Sequence, residues 1–289
     1  MFVHLHTHSP YSFLEGASDL ETLVQRATAL GQPDLALTDC NSVAGVVKFV
    51  SLCRGYGIKP IIGAEVTLDD ETRLTLLCRN REGYANLCAL LTRAFAHGGR
   101  LSPSLPLEGL STFSTDIICL TGCREGRLWR LLSRRRYGEA EQFALILRGW
   151  FPGSLYLELH DDYTPESRRL CRDIVELGKY LSLPVVAANN VQFATPEDAE
   201  THDILRCIAH KLTLNDLHAS RPLNRERYLK STAEMQELFA WIPEAITNAT
   251  RIAERCEVAL PQGEEITPSY TTPEGHNAIS YLRHLVRTS

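Results

Sequence analysis

The sequence predicts an α/β domain built from strand–helix units around a parallel sheet, either a barrel or a doubly wound sheet, with helices alone toward its C-terminal end. From Phe2 to about Phe193, short apolar runs alternate with amphipathic stretches of helical period, the signature of repeated βα units. After Phe193 the strand signals disappear. A length of 289 residues with 44% hydrophobic and 22% charged content suffices for one large core plus an appendage.

The chain opens on Phe2-Val3-His4-Leu5-His6-Thr7-His8. On an extended strand, residues two apart point to the same side, so His6 and His8 can reach one cation together. Imidazole is the commonest neutral metal ligand, which makes metal-centred chemistry the first hypothesis, against the plainer reading of a polar strand edge. The first helix is announced by a capping box in Ser18-Asp19-Leu20-Glu21, by an apolar face of Leu20, Leu23, Val24, Ala27 and Leu30, and by Gly31 at its end. Strands then read at 35–38, 59–62, 74–78, 116–120, 155–159 and 184–187, with helices at 43–56, 82–97, 137–150 and 165–181. Helical segments near 197–210, 233–241 and 243–255 follow as a cap or connector. The stretch 260–277, with three prolines, two glycines and no periodicity, reads as an exposed linker leading to a short amphipathic piece at 278–286. A linker running into the start of a helix suggests that a larger region follows.

Composition narrows the function. A net charge of −5 argues against holding nucleic acid by bulk electrostatics, so any DNA contact must be local. The one dense basic run, Arg127, Arg130, Arg134, Arg135 and Arg136, can meet phosphates, although such runs are more often solvated helix faces. Nine cysteines, an odd number without a Cys-x-x-Cys pair, fit reduced thiols in cytosol, and no signal peptide or membrane span precedes the first strand. A soluble, cytoplasmic protein is expected. There is no glycine-rich phosphate loop, nucleophile elbow or internal repeat, so chemistry must come from histidines, cysteines and carboxylates.

Ligand-capable residues recur just past the expected strands, where parallel α/β folds place their sites: Cys40, Glu65 and Cys123, with Glu15 in the first loop. His160 and Asp161 read as a polar strand end, His202 and Asp203 as local helix pairs, and Trp129, Trp150 and Trp241 as packing anchors.

His6-Thr7-His8-Ser9-Pro10-Tyr11-Ser12, Ala36-Leu37-Thr38-Asp39, the run from Gly57 to Glu65 and Leu183-Pro184-Val185-Val186-Ala187 together resemble the polymerase and histidinol phosphatase (PHP) domain. The closer resemblance is to the version at the N-terminus of bacterial DNA polymerase III alpha subunits, and Phe13-Leu14-Glu15-Gly16-Ala17-Ser18 and Val43-Ala44-Gly45-Val46-Val47 lean toward the error-prone type. The resemblance implies a distorted seven-stranded β/α barrel with a helical C-terminal extension, binding up to three metals at strand ends. Members with the full ligand set are phosphoesterases, some polymerase versions are metal-dependent 3′–5′ exonucleases, and others have lost metal and serve as scaffolds. The implied organisation is a barrel over 1–210, a helical extension over 211–260, and a linker with the start of a polymerase region over 261–289. Carried over by position, the implied metal ligands are His6, His8, Glu15, Cys40, Glu65 and Cys123. Arg73 stands where a histidine is usual, and Asn190 and Gln192 stand where a paired aspartate and histidine belong. A guanidinium repels cations, so Arg73 is expected to pair with Glu15 or Glu65 in place of a metal. The expectation is a degenerate site holding zinc or manganese partially or no cofactor, in a structural and interaction domain. Its implied partners are the rest of the polymerase, other replisome subunits and DNA indirectly, with no membrane. The competing reading is a phosphoesterase or proofreading exonuclease with an altered ligand set.

Overall fold

A hairpin interrupts the expected parallel sheet. The computed structural model describes residues 1–218, 221–260 and 270–288. Its strands β1 (Asp34–Leu37), β2 (Lys59–Thr67), β3 (Arg73–Cys78), β4 (Ile117–Leu120), β5 (Leu155–Leu159) and β6 (Val185–Ala187) form one six-stranded, curled sheet in chain order. β1–β2, β4–β5 and β5–β6 are parallel, whereas β3 runs antiparallel to both β2 and β4. A parallel crossover needs a dozen or more residues. The short turn between β2 and β3, closed by Leu68 N donating to Thr72 O at 2.7 Å, can only reverse the chain. Three further expectations change with it. β2 extends to Thr67, so Glu65 lies inside a strand and not beyond one. Asp116 precedes β4 as a left-handed turn residue with φ +55°. The expected seventh strand is absent as a ladder among the described residues.

Helices α1 (Leu20–Ala29), α2 (Val46–Tyr56), α3 (Arg81–Gly98), α4 (Arg127–Ser133), α5 (Tyr137–Trp150), α6 (Pro165–Leu181), α7 (Ala199–His210), α8 (Thr232–Leu238) and α9 (Pro243–Arg255) complete the first unit, residues 1–259. α6 illustrates how local chemistry sets the bounds. Thr164 accepts from Ser167 N at 3.1 Å as N-cap, Pro165 occupies the first turn, and Leu170, Ile174, Val175 and Leu181 form the buried stripe. Each such side chain contributes roughly 1.5–3 kcal/mol on burial. At α1 the N-cap is Asp19, while Ser18 is drawn away to accept from Ala194 N and to donate to Asp198. α9 packs on β6, where Asn248 donates to Val185 O at 2.8 Å. Trp129 is buried as expected, but Trp241 lies beyond α8 and is exposed.

The N-terminal segment sits between two neighbours. On one side Ala36 N donates to His4 O and Thr38 N to Thr7 O; on the other His8 N donates to Val191 O and Val191 N to His6 O, at 2.8–3.0 Å. Phe2, Val3 and Leu5 are buried with it, as are His4, His6 and His8. These contacts are isolated bridges, not a continuous ladder.

The second unit, residues 260–289, contains α10 (Ala278–Thr288), whose start is capped by Asn277 accepting from Ser280 N at 2.9 Å. Of the linker expected over 260–277, residues 261–269 lie outside the described residues.

Candidate metal centre and its arginine

His6 and His8 project from the N-terminal segment, Glu65 from β2, Arg73 from the start of β3 and Glu15 from the first loop, and all meet in one cluster. His6 Nε2 lies 3.1 Å from His8 Nε2 and 3.4 Å from Glu65 Oε1, and its Nδ1 lies 2.7 Å from Glu158 Oε1. Burial opposes a charge on His6, but Glu158 and Glu65 outweigh it and raise its pKa to about 10. His6 is therefore an imidazolium at neutral pH, donating through both nitrogens. Burial lowers His8 to about 4, with Glu65 opposing, so His8 is neutral. Its Nδ1 lies 2.8 Å from Ser12 Oγ, which donates to Asp39 Oδ1 at 2.6 Å, so the proton sits on Nδ1 and the free Nε2 faces His6 and Glu65.

Arg73 closes the cluster. Its guanidinium holds Glu15 in a bidentate pair, Nη1–Oε2 2.9 Å and Nη2–Oε1 2.8 Å, and Nη1 also donates to Glu65 Oε2 at 2.9 Å. Burial works against charge on Glu65, yet Arg73 and His6 hold its pKa down to about 2. Glu15 is lowered for the same reason, Arg73 overcoming burial. Arg206 approaches Glu15 Oε1 at 3.3 Å, and His202 Nδ1 donates to Glu15 O at 2.8 Å. His202 is thus a long-range brace for the Glu15 loop and not a local helix pair, because the stretch after β6 carries α7 back over that loop. Likewise, Asp203 pairs with Arg221.

The ligand atoms of His6, His8 and Glu65 lie within 4.8 Å of one another, as do those of Glu15, Cys40 and Glu65. The first group fits one cation once His6 gives up its Nε2 proton. The second does not, because both Glu15 oxygens and Glu65 Oε2 already bind the Arg73 guanidinium, whereas the first keeps two imidazole nitrogens and Glu65 Oε1. The Cys40 thiol, raised to about 12 by burial, is held protonated near Thr67 and Asn41.

Cys123 stands apart from that centre. Its Sγ donates to Glu125 Oε2 at 3.0 Å and accepts from Asn190 Nδ2 at 2.8 Å, while Gln192 Nε2 donates to Asn190 Oδ1 at 2.7 Å. Burial and Glu125 raise the thiol well above its usual range. Asn190 occupies the left-handed region with φ +43°, which asparagine tolerates better than most residues. Beside Cys123, Gly122 has φ +78°, and a Cβ there would lie 2.3 Å from the Arg73 carbonyl oxygen. Gly122→Ala is expected to cost about 2–4 kcal/mol, combining the left-handed backbone with crowding. Thermal unfolding of the variant checks this, and an unchanged Tm would contradict it.

Sequence reasoning missed several members. Glu158 lies on buried β5, where a lone carboxylate in Leu-Tyr-Leu-Glu-Leu was the available signal. Arg227, Arg221 and Asn224 come from the segment before α8, which folds back so that Gln192 N donates to Arg227 O. With Arg73, Arg124 and Arg206 they line a cleft of about 270 Å³ above the cluster. Nothing local in the sequence marked them as members of the site. His160 is buried with both ring nitrogens lacking hydrogen-bond partners, and burial lowers its pKa to about 3.

Residues 4–162 match the PHP domain family, a span that holds His6, His8, Glu15, Cys40, Glu65, Arg73 and Cys123. The chain belongs to the PHP family. This PHP chain is 43% identical to the error-prone DNA polymerase of Symbiobacterium thermophilum, over 99% of its own length and 28% of that protein. It is 37% identical to the DNA polymerase III subunit alpha of Escherichia coli K12, over 94% of its length and 24% of that protein. It therefore spans about a quarter of these relatives. A solved amidohydrolase from Chromobacterium violaceum is similar over 66% of this chain and 88% of that one, with 14% identity and a TM-score of 0.46.

Proposed function

We propose that this chain is the PHP domain of a DNA polymerase III alpha-type polypeptide and acts there as a structural and interaction domain, with the guanidinium of Arg73 in the place of a cation. The observation that carries this reading is the clamp of Arg73 on both Glu15 and Glu65, which neutralises the carboxylates a second metal needs. Phosphoryl transfer by paired metals depends on generating a hydroxide and clamping the developing charge. With amides at Asn190 and Gln192 and a fixed positive charge at Arg73, the cluster supports neither step with two ions.

In this reading the segment from Phe2 to His8 closes a distorted barrel as its seventh strand over residues 1–210. Residues 211–260 extend it, and 261–289 lead toward the polymerase region. The partners are then the rest of that polypeptide and other replisome subunits, with DNA reached indirectly. A cytoplasmic location fits the free cysteines, and no helix among the described residues is long and apolar enough to cross a membrane.

A second reading is favoured by the convergence of His6, His8 and Glu65: a single zinc or manganese ion, supplying Lewis acidity to a phosphoesterase or 3′–5′ exonuclease. Elemental analysis of the purified chain and of a His6→Ala/His8→Ala variant decides between the two. No stoichiometric metal is expected in either protein, even after incubation with zinc and manganese. A near-stoichiometric signal that the variant loses, with nucleotide release from a DNA 3′ end, would overturn the metal-free reading.

A further inference from the structure

At the corner between α4 and α5, a hollow of about 160 Å³ is lined by Arg127, Arg130, Arg134 and Arg136 together with Asp70 and Glu139. It shares no lining residue with the central cleft. Its construction follows from the backbone. α4 buries Leu128, Trp129, Leu131 and Leu132, so Arg127, Arg130 and Arg134, spaced three and four residues apart, share the opposite face. Arg135 then takes a left-handed conformation with φ +56°, which turns the chain so that Arg136, at the start of α5, returns to the same hollow. Two of the guanidiniums are braced: Arg127 lies 5.3 Å from the Phe143 ring centroid, and Arg130 Nη1 donates to Asp70 O at 2.6 Å. Arg136 pairs with Glu139, and Arg127 Nε is 3.6 Å from Asp70 Oδ2. Among the described residues Arg134 and Arg135 have no ion pair, and both side chains are exposed.

Four guanidiniums against two carboxylates leave the hollow with an excess of positive charge on a chain whose net charge is −5. Such a patch attracts a polyanion locally while the rest of the surface repels it. Arg127 and Arg134, seven residues apart, are separated by about 10 Å along the helix axis, enough to meet two neighbouring phosphates of one strand. Planar, multidentate guanidinium groups suit phosphate oxygens. We propose that this hollow is a docking site for the phosphate backbone of duplex DNA, holding the domain against the duplex without reading its sequence. The choice of DNA as the polyanion rests on the polymerase reading above and goes beyond it, adding a direct contact where that reading alone has DNA reached indirectly.

The test is binding of a fluorescent duplex of about twenty base pairs to the full chain, by anisotropy across a salt series, for the parent and an Arg134→Ala/Arg136→Ala variant. The variant is expected to bind at least about tenfold more weakly at low salt, with a slope of log K against log salt shallower by about 2, one unit for each lost phosphate contact. Circular dichroism should be unchanged. Glu139→Gln, which removes the carboxylate competing for Arg136, is expected to tighten binding several-fold and serves as an independent check. Equal affinity and slope in both variants would overturn the proposal. So would binding of inorganic pyrophosphate but not of DNA. If heparin binds and DNA does not, with heparin binding lost in the double variant, the DNA assignment falls while the polymerase reading, which has DNA reached indirectly and is tested by the metal analysis, stands. If neither binds, the docking site falls alone.

Discussion

Arg73→Ala is expected to destabilise the chain by about 3–5 kcal/mol, because it removes the cation that bridges two largely buried carboxylates and leaves Glu15 only the longer contact to Arg206 and Glu65 only His6. Arg73, Glu15 and Glu65 have side-chain exposures of 22, 14 and 1%, so solvent does little to screen the loss. In a chain of this length the change corresponds to a fall in Tm of roughly 10 °C, measured in chelator. The second half of the prediction concerns metal. With the guanidinium gone, Glu65 is free to join His6 and His8, so zinc or manganese should restore part of the lost stability in the variant and none in the parent, by binding the native state alone. Arg73→His, which adds a ligand, should respond more strongly. A metal-free Arg73→Ala variant as stable as the parent would show that the clamp is incidental.

The second large effect is expected at His6. Its imidazolium lies between Glu158 and Glu65, both buried, so His6→Gln should cost about 3 kcal/mol or more near neutral pH while keeping a hydrogen-bonding side chain of similar reach. The loss has a defined pH dependence. The folded-state pKa of His6 is raised from 6.5 to about 10, so its stabilisation is complete below about pH 6.5 and declines as pH rises through 10. The difference between parent and variant should therefore shrink steadily over that window, read by denaturant unfolding at a series of pH values. Glu65 sets the acid limb. Its pKa is held near 2 against a usual 4.5, so its contribution is complete above 4.5 and is lost as pH falls through 2. A parent–variant difference that is flat from pH 6 to 10 would mean that His6 is neutral in the folded chain. The same proton governs metal affinity, since a cation must displace it from Nε2; uptake by Arg73→His should rise with pH across the same window.

Much of the site was legible because its residues follow one another at simple spacings. The His-x-His pair announced itself by alternation on an extended segment, and the pairing of Arg73 with the acidic residues followed from its charge. What the spacings could not convey was direction and distance. Cys123 lies past a strand end like Cys40, yet the Gly122 turn and the neighbouring amides draw its sulfur into a separate network with Glu125. His202, 187 residues from Glu15, reaches that residue's carbonyl only because α7 folds over the first loop. The antiparallel β3 was hidden for a related reason: apolar strand runs carry no arrow, and only the shortness of the 68–72 turn shows that the chain must reverse there.

By itself the sequence determined the chemistry available: which side chains can ligate, which one brings a fixed positive charge among them, and roughly where most strands and helices lie. The bounds of α6 follow from the Thr164 cap, Pro165 and apolar period, those of α9 from Pro243 and apolar period, and those of α5 from apolar period, because those signals act within a turn or two of helix. Tertiary structure alone decided which charges share a cavity. Glu158 from β5, Arg206 from α7 and Arg227 from the returning segment are separated by long stretches of chain, and their effect on His6, Glu15 and Glu125 falls off within a few ångströms. Electrostatic balance at the centre is thus a property of the folded sheet and the segments that close over it, which no local pattern encodes.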